Sequence, residues 1–299
     1  MSVFKNSKGS TSVIFISSII VVVLISAFIT DIGYIAIERY KFSKDLNSIV
    51  SSEMGKFIQG DEKITDNIIK EINKKYTSIT NVDIKVSENG REMTLYADRN
   101  LHYIFLKHLG FIVKPIDFRV TAKGSNVNSY RGIRPFALIK TEIDFEKERY
   151  LSFIINEEDN KKMFHKIVPL ALGKQSFNSN IIHGYWERIN VGDTVTPYSG
   201  EIIDIDSVDR LMSGCKNTPY CTYDNYKDGC SKIIIIPVVE ELEDSIKVIG
   251  FSAFFIEEGN FDKQTGNVTL KGRFIRYIVN ETISDGIPDF GLLGVRLIN

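Results

Sequence analysis

The chain has 299 residues, enough for two domains or for one domain with accessory segments. With 43% hydrophobic and 25% charged residues it can bury a core, which excludes wholesale disorder and collagen-like repetition. Its 37 Lys and Arg against 38 Asp and Glu leave a formal net charge of -1, so no global field draws it to nucleic acid.

The apolar residues are unevenly placed. Residues 13–30 carry no charge, and the run Ile19-Ile20-Val21-Val22-Val23-Leu24-Ile25 is far more apolar than the rest of the chain. As a helix this stretch covers about 27 Å, and continuation through Ile37 exceeds the roughly 30 Å of a bilayer core. A retained transmembrane anchor is favoured over a cleavable signal, because Ser26-Ala27 after Ile25 makes a poor cleavage site. Asp31 then falls near the far interface, either as a boundary marker or as a group recognised by a partner helix. Lys5 and Lys8 before the span, and Arg39, Lys41 and Lys44 after it, do not decide an orientation.

Beyond the span, Ile35, Phe42, Leu46, Ile49 and Phe57 share one helical face, which predicts an amphipathic stalk to about Gly60. Ile64, Ile68, Ile69 and Ile72 predict a second helix over 61–76, with Asp61 or Thr65 as its cap. Residues 82–86 and 93–97 alternate around Glu88-Asn89-Gly90-Arg91, which predicts a β-hairpin. The apolar stretches Ile104-Phe105-Leu106 and Leu109-Gly110-Phe111 follow, then a strand over 116–122.

Lys8-Gly9-Ser10 before a long apolar helix, Asp31-Ile32-Gly33 at its outer end and Arg39 two turns on resemble the TadE/TadG-like proteins of the Flp (Tad) pilus assembly system. The order of the following elements is similar to that family too: stalk, hairpin, a connector ending near Leu-Gly, and a strand for which Phe118-Arg119-Val120-Thr121-Ala122 is the counterpart. The resemblance covers residues 1 to 125. It departs at Ile14, which stands where a prepilin-type processing site carries glutamate after the glycine. It implies a pseudopilin-like membrane protein in which Gly9, Asp31, Gly33 and Arg39 belong to the membrane and partner helix.

Gly124-Ser125-Asn126-Val127-Asn128-Ser129 is polar and reads as a linker. After it, strands are expected over 135–141, 150–155, 166–172, 232–239, 246–256, 268–278 and 292–298, a density that suggests a β-sandwich or barrel. Ile233-Ile234-Ile235-Ile236-Pro237-Val238-Val239 lacks polar alternation and reads as a strand buried on both faces, with Pro237 at a bulge or an end. Ala171-Leu172-Gly173, Val191-Gly192-Asp193, the segments 234–239 and 248–255, Gly272-Arg273-Phe274-Ile275 and Leu293-Gly294-Val295-Arg296-Leu297 resemble a region attached to TadE/TadG-like proteins in some Gram-positive bacteria. Pro197-Tyr198-Ser199-Gly200 departs from the relatives' pattern, so no ligand role transfers to that loop.

Motifs for chemistry are sparse. Leu172-Gly173-Lys174-Gln175 lacks the first glycine and the hydroxyl of a nucleotide-binding loop. Gly250-Phe251-Ser252-Ala253-Phe254 approaches a nucleophile elbow, but lies in a run of β-formers and reads as core strand. His102, His108, His165 and His183 are scattered, without zinc-ligand spacing. Asp204, Asp206 and Asp209 lack the glycine and glutamate of a calcium loop and read as a solvated acidic loop. Cys215, Cys221 and Cys230 do not form a Cys-x-x-Cys knuckle, so a disulfide is preferred to zinc, with Cys221 and Cys230 as the pair favoured by the turn at Asp228-Gly229.

These readings combine into an α+β protein: a tail and anchor (1–37), a stalk with a small helix and hairpin unit (38–125), and a mostly β domain (126–299). The expected role is a non-enzymatic membrane component of a Tad/Flp-type apparatus with its C-terminal domain outside the cell. Its expected partners are membrane lipid and pilin or platform helices, without nucleic acid, small-molecule substrate, metal or cofactor. The alternative is a membrane-tethered extracellular binding or sensing module unrelated to pili.

Overall fold

The computed structural model describes residues 8–59, 63–76, 78–111, 115–140, 143, 149–153, 167–198, 205–215, 221–242, 245–262 and 267–298. The protein is α+β and divides into two units, one of Met1–Phe57, Asp61–Ala122 and Leu297–Asn299, the other of Ile58–Gly60 and Lys123–Arg296.

In the first unit the anchor and stalk are one continuous helix, α1 (Lys8–Ile58). Every large apolar side chain from Val13 to Ile29 is exposed, and the helix is long and apolar enough to cross a membrane. Further along, α1 buries Phe42, Leu46, Ile49, Val50 and Met54, as the stalk periodicity predicts, with Ile35 and Phe57 half-buried. Helix α2 (Ile64–Lys75) buries Ile64, Ile68 and Ile72. Its N-cap position is Lys63, which makes no capping side-chain bond; Thr65 lies inside the helix and Asp61 lies outside the described residues.

Strands β1 (Ile79–Val86) and β2 (Glu92–Arg99) form the expected hairpin, in register from Val86↔Met93 to Val82↔Ala97. Gly90 closes the turn at φ +67°, donating its N–H to the Ser87 carbonyl at 2.8 Å. The left-handed backbone there explains the glycine. β3 (Ile116–Val127) lies next to β2. Met93, Leu95 and Ala97 of β2, with Phe118, Val120 and Ala122 of β3, supply the buried face. The Phe42 ring meets Tyr76 and Phe118 edge-on, each at 4.7 Å between centroids. Burying a side chain such as Phe42 or Leu46 contributes about 2 kcal/mol, so this stalk face holds the unit together.

Residues 124–127 are not a linker but the end of β3. Ser125, Asn126 and Val127 are buried, and the polar side chains find carbonyls: Ser125 Oγ donates to Ser284 at 2.9 Å and Asn126 Nδ2 to Ile287 at 2.5 Å. Paired donors such as Ser125 Oγ and Asn126 Nδ2 can be buried, which is why polarity misread the segment.

The second unit contains β4 (Ser129–Arg131), β5 (Phe136–Ile139), β6 (Arg149–Phe153), β7 (Ile167–Ala171), α3 (Phe177–His183), β8 (Arg188–Asn190), β9 (Thr194–Pro197), α4 (Ile205–Ser213), β10 (Ile233–Glu241), β11 (Ile246–Asp262), β12 (Asn267–Ile275), β13 (Tyr277–Val279), β14 (Ile283–Ser284) and β15 (Leu292–Ile298). Strand pairing closes on itself in the order β10, β5, β7, β9, β11 and back to β10, a five-stranded ring, while β12 and β6 continue outward from β11. β4 pairs with β8, β14 with the end of β3, and β13 with β15.

β10 is buried on both faces: Ile233, Ile235 and Val239 enter one core cluster and Ile234, Ile236 and Val238 the other. A register shift falls between Val238 and Val239, one residue past Pro237, and the strand runs on to Glu241. Proline has no N–H for a ladder bond, so a break in register beside it is expected. The acidic loop reading is corrected by α4, where Val208 and Leu211 are buried and Asp206 and Asp209 face solvent; Asp204 lies outside the described residues.

Candidate membrane bracket and thiol cluster

From Ser12 onward Asp31 is the first buried residue of α1, and it has no exposed surface. Its Oδ1 accepts from the backbone N–H of Ile104 at 2.8 Å and of Phe105 at 3.2 Å, while Oδ2 accepts from Phe105 at 3.0 Å and from Leu106 at 2.7 Å. These amides open a 3₁₀ turn, Leu106–Leu109, whose own N-cap residue, Phe105, makes no capping side-chain bond. A carboxylate supplied from α1 does what a capping side chain would do, satisfying amides that the turn leaves unpaired. Gly110 ends the turn at φ +81°, with its N–H on Lys107 O and the Phe111 N–H on Leu106 O, both at 3.2 Å. The connector is thereby bracketed to α1 at residue 31.

The other expected anchor residues lie on the same helix. Gly9 is in its first turns, Gly33 is half-buried with open space where a Cβ would stand, and Arg39 is exposed. Asp31 is thus committed to its own chain, whereas Gly33 and Arg39 present themselves outward. A half-buried ion pair follows the bracket along α1: Arg99 Nη2 contacts Glu38 at 3.1 Å and Arg99 Nε contacts Ser78 at 3.0 Å, with the guanidinium over the rings of Phe42 and Tyr76. These contacts fix the hairpin to the stalk; they do not form a cleft.

In the second unit, Cys215, Cys221 and Cys230 converge, all three buried and with their sulfurs within 4.8 Å of one another. None is in a disulfide, and Cys230 Sγ stands 3.3 Å from Cys215 Sγ. Burial pushes the Cys230 thiol up to about 12, and the neighbouring Cys215 and Cys221 thiols push the same way against one N–H bond from Lys232. Among the described residues no His, Asp or Glu joins the group: His102, His108 and His183 are exposed, and His165 lies outside the described residues. Three sulfurs in an apolar core, with no fourth protein donor among the described residues, match a site for sulfur–sulfur chemistry better than a closed zinc centre. The pairing is not confined to Cys221 and Cys230, since Cys215 reaches the same point.

The remaining sequence motifs are packing and turn positions. Ser252 is buried in β11, its hydroxyl without a hydrogen-bond partner among the described residues, part of the core strand that its sequence predicts. Val191-Gly192-Asp193 is the turn before β9, where Asp193 Oδ2 accepts the Asn190 N–H at 2.8 Å and Gly192 takes φ +99°. Gly173, at φ +56°, lies against Tyr185. The outer face of β1, β2 and β3 carries Asp83, Asp98 and Asp117 with Lys85 and Arg119, a mixed-charge surface.

Sequence reasoning singled out Asp31 but missed its partners, because the acceptor and the three amides are distant in the chain. The available signal was the apolar connector ending in Leu109-Gly110. No protein-family model matches the chain, and no curated protein or solved structure matches it at a significant level.

Proposed function

We propose that the protein is a non-enzymatic, single-pass membrane component of a Tad/Flp-type pilus assembly or secretion apparatus, with the chain beyond the anchor outside the cell. The observation that carries this reading is the first half of α1, where large apolar side chains are exposed around the whole helix from Val13 to Ile29. A helix that is apolar all round is at home in lipid or among other apolar helices. The order of anchor, stalk, hairpin, Leu-Gly connector and strand supports the pilus assignment through its likeness to TadE/TadG-like proteins. The apolar helix packs on pilin or platform helices, Gly33 offering a close approach, while the β-rich unit is displayed outside.

A photoreactive residue at Val22 in the native cell tests the partner. Adducts with small pilins or a platform protein are expected. Adducts with lipid alone, in cells that assemble pili, would transfer support to the tethered binding or sensing module. Ser48→Cys, at an exposed position of α1, tests orientation: an impermeant maleimide should label it in intact cells, and labelling only after lysis would reverse the topology.

A further inference from the structure

The connector 104–111 exposes Ile104 by 41%, Phe105 by 50%, Leu109 by 57% and Phe111 by 55%. Four large apolar side chains on one short segment form a patch of the kind that marks an interaction surface. Its height is set by the bracket, since the Asp31 carboxylate holds the amides of Ile104, Phe105 and Leu106, and Asp31 directly follows the uncharged run of α1. The patch therefore continues the exposed apolar surface of α1, which runs from Val13 to Ile29 and on through Ile32, Tyr34 and Ile37.

From this geometry we infer that residues 104–111 are a second membrane contact, a foot that inserts into the interfacial zone of the leaflet where α1 emerges. The inference rests on α1 crossing the membrane. Backbone that approaches the hydrocarbon is favoured when its polar groups are paired within the protein. Much of the foot's backbone is paired in this way: Asp31 takes the first three N–H groups, and those of His108, Gly110 and Phe111 bond to Phe105, Lys107 and Leu106 carbonyls. Phe105, Leu109, Phe111 and Ile104 supply the apolar contact, and Lys107 and His108, both exposed between them, stand at the depth of lipid phosphates. With α1 fixed at residue 31 and a second contact beside it, the anchor's rotation and tilt, and so the aim of the hairpin, are set by the lipid surface.

The test uses the full chain in nanodiscs. Trp186, the single tryptophan, is replaced by Phe, and one Trp is placed at Phe105, Phe111 or, as a control within the anchor, Val22. Quenchers are phospholipid nitroxides placed high or low on the acyl chain, and aqueous iodide. At 105 and 111 the high nitroxide should quench most strongly, and iodide should quench about threefold less than it quenches Trp186 in the unaltered protein. Iodide quenching equal to that of Trp186, with no lipid quenching, overturns the foot. Protection from iodide without lipid quenching also overturns it, assigning the patch to a second copy of the chain. A Val22→Trp probe that lipid fails to quench overturns the anchor reading itself, so the two failures are distinguishable.

Discussion

The Leu106 N–H lies 2.7 Å from the Asp31 Oδ2, although 75 residues of chain separate them. One carboxylate on the anchor helix thus organises the start of a turn that local sequence would leave uncapped. Neutralising it should separate its structural role from insertion. In Asp31→Asn one carboxylate oxygen becomes an NH₂ group facing amide donors, so the bracket loses acceptors it cannot replace. Membrane abundance should remain near normal, while the amides of 104–106 exchange hydrogen about tenfold faster in reconstituted protein. Unchanged protection would show that the turn holds without Asp31.

Gly33 offers the complementary test on the outward side of α1. A Cβ built there meets nothing within 4 Å, and the residue is helical. Within the chain, Gly33→Ala should therefore be neutral or stabilising by about 0.5 to 1 kcal/mol, the usual helix preference. Recovery with pilin or platform partners should fall, because the methyl blocks close helix approach. Full recovery of partners would remove Gly33 from the contact.

Gly272 is constrained for a different reason. It pairs with Ile256 across β11 and β12, and an added Cβ would stand 2.0 Å from the Phe255 carbonyl oxygen, a backbone atom with little room to yield. Gly272→Ala should cost about 3 kcal/mol through overpacking. Thermal unfolding followed by β-sheet circular dichroism checks this; an unshifted midpoint would mean that β12 relaxes freely.

All three sulfurs lie within 4.8 Å of one another, and Cys230 interacts with both others, standing 3.3 Å from Cys215 Sγ, so we expect the bridge formed in an oxidising exterior to include it. Mass spectrometry of alkylated, unreduced protein should find one disulfide in the unaltered chain and in either Cys215→Ser or Cys221→Ser, and none in Cys230→Ser. A bridge surviving in Cys230→Ser defeats the assignment. Closing the loop from 215 to 230 would stabilise by about 3 kcal/mol in the chain-entropy model.

The reduced protein should also be alkali-sensitive. Burial raises the folded Cys230 from its ordinary 9.0 to about 12, and burial with the Glu187 hydrogen bond raises Tyr185 from 10.0 to about 12. Both groups stay protonated in the fold where the unfolded chain ionises. Their stabilising share is complete below pH 9 and declines as the pH rises toward 12. Melting temperature against pH should fall over that window, less steeply in Cys230→Ser with the two other cysteines also replaced. A flat profile would show that the thiol is hydrated in the folded protein.

What the sequence determined by itself was whatever a local period or composition encodes. The uncharged run of 13–30, the stalk face of Phe42, Leu46 and Ile49, the Asn89-Gly90 hairpin and the two-faced strand at 233–239 need only neighbouring residues to be recognised, and α1, β1, β2 and β10 follow. Tertiary structure decided what depends on distant partners. Ser125 and Asn126 read as linker until the carbonyls of Ser284 and Ile287 bury them in β3. α4 is only 9 residues long, too short for its period to stand out against three aspartates. The closure of β10 through β5, β7, β9 and β11, the meeting of three cysteines and the capture of residues 104–106 by Asp31 all join segments far apart in the chain. Hydrogen bonds and apolar burial act through space, and a local pattern carries no record of which distant group will arrive.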